Sequence, residues 1–224
     1  MRRYLAIVCT TLLLTASTVA AAMEWVEGTH YFLIEPVLPT HVAPGKIEVL
    51  EVFSYACPAC NEFYPTVDKL KASLPANAQM VFLPAGFRPD EDWDVFQRAY
   101  ITAQALGVAE QAHDAMFDAV WKSGELAVID PATHGMKEHL PDIHDLAKFY
   151  SRYPGVTVAK FVATAASMPV EYQMELADQA IAAGKVEGTP TIIVNGKYRL
   201  DVRSAKGYGA VIDLVQFLIA KDPK

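Results

Sequence analysis

The chain has 224 residues, 52% of them hydrophobic and 20% charged, with 19 Lys and Arg against 26 Asp and Glu and a formal charge of −7. That length supports one large domain or two small ones with real cores, and the composition excludes a disordered chain. The negative balance, with basic residues scattered and no aromatic stripe among them, excludes a nucleic-acid-binding surface.

Residues 1–22 read as a cleaved export signal. Arg2 and Arg3 give a positive start, Tyr4 to Leu14 an apolar run, and Ala20-Ala21-Ala22 the small residues of a cleavage site, with the cut expected after Ala22. The alternative, an uncleaved membrane anchor, is disfavoured because the run is too short to span a bilayer with proper flanks. Cys9 lies inside the run and leaves with it. Removal takes two basic residues and no acidic one, so the mature chain carries 17 basic against 26 acidic residues, a formal charge of −9, and only two cysteines, Cys57 and Cys60.

Thr29 to Ile34 is β-like, and Pro36, Pro39 and Pro44-Gly45 then break the chain. Ile47 to Phe53 reads as a buried strand. Phe63, Val67, Leu70 and Leu74, spaced by 4, 3 and 4, predict an amphipathic helix, and Gln79 to Pro84 a further strand. This βαβ start points to an α/β fold. From about Asp90 to Gly184 no strand is expected. Helical spacing recurs in sets centred on Trp93–Ala103, Ala112–Val120, Ile143–Tyr150, Val158–Ala165 and Val170–Ile181, with Gly184 as a C-cap. Strand signals return at Thr191 to Val194. Asn195-Gly196 then predicts a hairpin into Lys197 to Leu200, and a last apolar helix face runs from Tyr208 to Ile219. The expected organisation is a discontinuous α/β domain, residues 23–89 and 185–224, around an inserted helical domain, residues 90–184.

Cys57-Pro58-Ala59-Cys60 falls between a buried strand and a helix. At a helix N-terminus the unpaired N–H groups and the helix dipole favour an anion, and Pro58 suits the first helical position because its missing N–H costs nothing there. The placement predicts a stabilised thiolate at Cys57, the form that attacks and the better leaving group, with Cys60 more buried and resolving. Other uses of the pair fare worse. Zinc needs about four ligands, and His134, His139 and His144 are spaced by five, off a common helical face. Haem attachment needs His after the second cysteine, where Asn61 stands. A purely structural disulfide across so short a loop would constrain the unfolded chain little. A copper(I) carrier is conceivable for two thiolates, but no Met or His adjoins the pair.

The stretch Val49-Leu50-Glu51-Val52-Phe53-Ser54-Tyr55-Ala56-Cys57-Pro58-Ala59-Cys60 resembles the DsbA-type thiol:disulfide oxidoreductases of the thioredoxin superfamily. So do Val186-Glu187-Gly188-Thr189-Pro190-Thr191 and Val194-Asn195-Gly196-Lys197-Tyr198. The resemblance covers nearly the whole mature chain. It implies a thioredoxin fold with an all-helical insertion, a periplasmic enzyme that passes its Cys57–Cys60 disulfide to reduced or unfolded exported proteins, and no cofactor or metal. It also implies reoxidation by a DsbB-type membrane partner; a monomer is expected.

By the same resemblance, Pro190 is a cis-proline facing the cysteines, leaving Thr189 and Gly188 to pair with an extended substrate beside Pro58 and Ala59. Glu51 takes the place of a buried acid that exchanges the Cys60 proton. Strand alternation allows at most one of Glu48 and Glu51 to face the cysteines; Glu51 is preferred, and solvent exposure of either on a one-sided sheet is the alternative. The chain departs from the family at Ala59, where members commonly have His, which predicts a milder oxidant. Pro65 resembles the helix-kinking proline of thioredoxin. Thr189 is similar to the residue that precedes the cis-proline in disulfide isomerases, so a reductase or isomerase remains the alternative activity.

Overall fold

The computed structural model describes residues 24–222. The expected signal, residues 1–22, and Cys9 lie outside the described residues.

One five-stranded sheet, in the order β1-β5-β4-β2-β3, organises the fold. Its centre is β2 (Ile47–Phe53), which pairs in parallel with β3 (Ala78–Pro84), Ile47 opposite Ala78 and Phe53 opposite Pro84. On its other side β2 runs antiparallel to β4 (Thr191–Val194), which turns into β5 (Tyr198–Asp201). The turn is tight because Asn195 and Gly196 both take positive φ, 55° and 67°, and the Lys197 N–H donates to the Val194 carbonyl at 3.0 Å. A Cβ on residue 196 would lie 2.2 Å from the Leu38 carbonyl oxygen, so only glycine fits there.

The β-like stretch from Thr29 yields only a two-residue edge strand, β1 (Phe32–Leu33), against β5. Its first half is used in a turn instead, with His30 N–H donating to the Val26 carbonyl at 2.9 Å.

Helix α1 (Pro58–Ser73) connects β2 to β3 and, with α7 (Tyr208–Lys221), covers one face of the sheet. Phe63, Val67 and Leu70 of α1 meet Val49 of β2 and Val211, Leu214 and Leu218 of α7 there. On the other face Leu50 and Val52 pack with Ile181, Val186 and Ile193. Because both faces are covered, all seven residues of β2 are buried, including Glu48 and Glu51. The alternative of a one-sided sheet with an acid facing solvent is therefore excluded: period-2 alternation sorts residues between two covered faces here, not between core and water.

Between β3 and β4 the chain is helical. A short 3₁₀ turn (Pro89–Glu91) leads into α2 (Trp93–Ala105), α3 (Ala109–Trp121), α4 (Ile143–Tyr150), α5 (Val158–Ala165) and α6 (Met168–Ala183). Among the described residues of this stretch the only β-type pairing is the isolated bridge Ile129–Met136. Gly184 is indeed the C-cap of α6, but the left-handed residue is Lys185, at φ 52°. The helical core of Phe96, Tyr100, Met116, Phe117, Tyr150 and Phe161 continues without a break into Phe53, Tyr55, Cys57 and Cys60. The architecture is a thioredoxin fold with a helical insertion, and the insertion shares its core with the start of α1.

Candidate active site

Cys57 is the N-cap of α1 and Pro58 stands at its first position, so the helix starts five residues before the apolar spacing does. The Cys57 N–H donates to the Ser54 carbonyl at 3.2 Å, closing a turn between β2 and α1. The N–H groups of Cys60 and Asn61 donate to the Cys57 carbonyl, both at 3.1 Å. Both cysteines are free thiols; Cys60 is fully buried and Cys57 nearly so, at 5% exposure.

The two sulfurs are driven apart in acidity. Cys57 is lowered to about 6, first by a hydrogen bond from the Cys60 thiol, against the opposing effect of burial, then by Thr189 and the N–H groups of Cys60 and Ala59. Cys60 is pushed well up, by burial first and then by the hydrogen bond and charge of Cys57 and the charge of Glu51. A proton shared between two such groups rests on the inner sulfur, leaving the outer one as thiolate.

Pro190 brings the second motif to the same place. The Thr189–Pro190 bond is cis, and the protonated Cys57 Sγ donates to the Thr189 carbonyl at 3.5 Å. Once Cys57 ionises it can only accept, and the buried Thr189 hydroxyl, with no other hydrogen-bond partner, can donate to it. Gly188, Thr189, Pro190 and Ala59 line a cleft of about 600 Å³ together with Phe32, Arg199 and Tyr208. Pro58 is exposed at the start of the helix but does not line this cleft.

Glu51 is 2% exposed, and burial, followed by the charge of Cys57, pushes its carboxyl up to about 8. Its charge also acts on Cys60. Glu48, equally buried, accepts a hydrogen bond from the His41 N–H at 2.7 Å and has no comparable influence on the sulfurs.

Several residues at the site were not anticipated. His113 and Trp121 of α3 both hold Tyr55, two residues before Cys57. Tyr208, which donates to Glu62 at 2.9 Å, and Arg199, stacked over the Phe32 ring, shape the cleft. The available signal for His113 was its place on the apolar face of α3, beside Ala112, Met116 and Phe117. The cleft residues carry no such signal, because they lie far from the cysteines in sequence. Among the described residues no cluster of His, Cys, Asp or Glu could hold a metal ion.

A thioredoxin fold with a CxxC pair at a helix start, one sulfur acidified and the other suppressed, beside a cis-proline loop, defines a thiol:disulfide oxidoreductase. The comparisons place it further. The thioredoxin family model matches residues 43–214. The chain is 34% identical over 203 residues to the thiol:disulfide interchange protein DsbA of Pseudomonas aeruginosa, covering 91% of this chain and 88% of that one. It is also 34% identical over 204 residues to DsbA of Pseudomonas syringae pv. tomato, covering 91% and 87%. The crystal structure of Pseudomonas aeruginosa DsbA superposes with a TM-score of 0.73 at 35% identity, over 88% of this chain and 94% of that one. That of Xylella fastidiosa DsbA gives 0.74 at 31%, over 86% and 94%. The chain belongs to the thioredoxin family and, within it, to the DsbA-type thiol:disulfide interchange proteins.

Proposed function

We propose that the enzyme introduces disulfides into exported proteins by exchange through Cys57 and Cys60. A client thiolate attacks Cys57 Sγ of the oxidised pair; the Cys57–Cys60 bond breaks as a Cys57–client bond forms, and the electron pair leaves on Cys60. Glu51, neutral at pH 7, gives that thiolate its proton. A second client thiolate attacks the client sulfur of the mixed disulfide, and Cys57 leaves as a thiolate. The client dithiol is oxidised and the enzyme disulfide reduced, with no metal or nucleotide needed. A DsbB-type membrane protein would take the electrons and restore the pair. Gly188 and Thr189, with Pro190 between them and β4, offer the client backbone an extended edge beside Pro58 and Ala59.

The observation that carries this reading is the acidified Cys57 at the N-terminus of α1, against the cis-proline loop. Export is supported by the sequence of residues 1–22, and the periplasm is the compartment where such a disulfide persists. In this reading residues 23–89 and 185–224 form the catalytic domain, residues 90–184 cap it, and the protein works as a monomer. Ala59 favours a milder potential, and Thr189 is similar to the residue before the cis-proline in disulfide isomerases, which keeps reductase or isomerase activity as the second reading. The decisive measurement combines ultraviolet thiolate absorbance against pH with the equilibrium against glutathione. A Cys57 pKa near 6 and an oxidising potential are expected. A value near the free-thiol figure of about 8.5 would reject an activated oxidant, and a strongly reducing potential would move the assignment to the reductase. Cys57→Ser should abolish oxidation of a reduced model peptide.

A further inference from the structure

The segment that leads into the cysteines, Ser54-Tyr55-Ala56, belongs to the turn after β2, yet α3 of the insertion grips it at two points. The Trp121 Nε1–H donates to the Tyr55 carbonyl at 2.7 Å, and the Tyr55 hydroxyl and His113 Nδ1 share a hydrogen bond of 2.9 Å. Residue 55 is 1% exposed and His113 7%. Around His113 stand the rings of Phe82, Phe53, Tyr55 and Phe117, at 4.4, 5.0, 5.3 and 5.3 Å between centroids. Burial, aided by the charge of Lys71, lowers His113 to about 4, so the ring is neutral at pH 7. The turn itself has no slack: Ala56 N–H donates to Ser54 Oγ and Cys57 N–H to the Ser54 carbonyl, both at 3.2 Å.

We propose that His113, with Trp121, is a positioning residue for Cys57, acting through Tyr55 to fix where the sulfur sits against the first N–H groups of α1. This role rests on the exchange chemistry assigned above to Cys57 and names the part of the insertion that tunes it. Stabilisation of a thiolate by N–H groups depends steeply on distance, because each such contact is a charge-assisted hydrogen bond. A displacement of Tyr55 has only one residue, Ala56, to absorb it before Cys57. A histidine that merely filled the core would affect stability alone; a positioning histidine also changes the acidity of a sulfur it does not touch.

The test compares Tyr55→Phe, His113→Phe and their double variant with the wild-type enzyme, by thiolate absorbance against pH, glutathione equilibrium and urea unfolding of the reduced form. Each single variant should raise the Cys57 pKa by about half a unit, and so shift the glutathione equilibrium about threefold toward the enzyme disulfide. The double variant should add nothing, because all three break the same hydrogen bond. Trp121→Phe should act in the same direction. If His113→Phe does not fold, Tyr55→Phe, which keeps the ring and loses one oxygen, decides alone. Wild-type pKa and equilibrium in folded Tyr55→Phe would overturn the proposal, whatever its stability. Persistence of oxidation in Cys57→Ser would instead overturn the exchange reading, a separate result from the same assay.

Discussion

A methyl group and a carboxyl carry the residue-scale expectations. Ala59 leaves the position between Pro58 and Cys60 without a side-chain donor, and Cys57 is held down first by the Cys60 thiol, then by Thr189 and the backbone N–H groups instead. Ala59→His should lower the Cys57 pKa by roughly one further unit and make the enzyme more oxidising, read by thiolate absorbance and the glutathione equilibrium. Glu51 lies at the other end of the exchange. Its folded pKa of about 8 exceeds the unfolded value of 4.5, so its contribution to stability is complete below pH 4.5 and is lost as pH rises through about 8. Glu51→Gln should therefore flatten the decline in stability over that window, a difference of roughly a few kcal/mol at the alkaline end. If Glu51 exchanges the Cys60 proton, the same variant should also slow formation of the mixed disulfide in stopped-flow. Unchanged kinetics would remove Glu51 from the mechanism.

Among the elements, α1 shows what periodicity reads and what it misses. The spacing of Phe63, Val67 and Leu70 announces its buried face, but Pro58 and Cys57 set its start, and Pro65 stands inside it without ending it. The terminus was legible from the chemistry of an N1 proline rather than from the pattern. Helix α4 carries a complete capping box: the Asp142 side chain accepts from the His144 and Asp145 N–H groups, and Asp145 reaches back to the Asp142 N–H. Asp142→Ala should cost about 1 kcal/mol in urea unfolding and leave the Cys57 pKa unchanged, since α4 contributes no group to the sulfur. A shift in that pKa would show that the insertion reaches Cys57 by more routes than α3. The edge strand β1 is the opposite case. Its stretch reads as six residues of strand and yields two, because a turn at Val26–Tyr31 uses the first half.

For the whole molecule, redox state and stability are linked through one sulfur. Cys57 sits at about 6 in the folded reduced protein against an ordinary 9.0. A depressed pKa contributes stability that is fully present above the unfolded value and lost as pH falls through the folded one. The reduced form should therefore gain on the oxidised form as pH rises from about 6 to about 9, by roughly a few kcal/mol, seen as diverging melting temperatures in parallel scans. An enzyme whose reduced form is the more stable gives its disulfide away downhill. Parallel curves across that window would deny the thiolate any part in folding energetics.

Fold class, element order and the hairpin at Asn195-Gly196 were legible in the sequence. Each rests on local chemistry: hydrophobic period, turn residues, a proline at a helix start. The pairing of two cysteines with a distant Thr-Pro was implied by the family resemblance alone. Burial of both Glu48 and Glu51, the grip of His113 and Trp121 on Tyr55, and the cleft shared by Ala59, Gly188 and Arg199 were decided only by tertiary structure. The physical reason is that solvation and hydrogen-bond partnership belong to a position in space. A carboxylate in a strand reads the same whether its face meets water or a helix, and an imidazole 58 residues from a tyrosine shows no sign of it until the chain has folded.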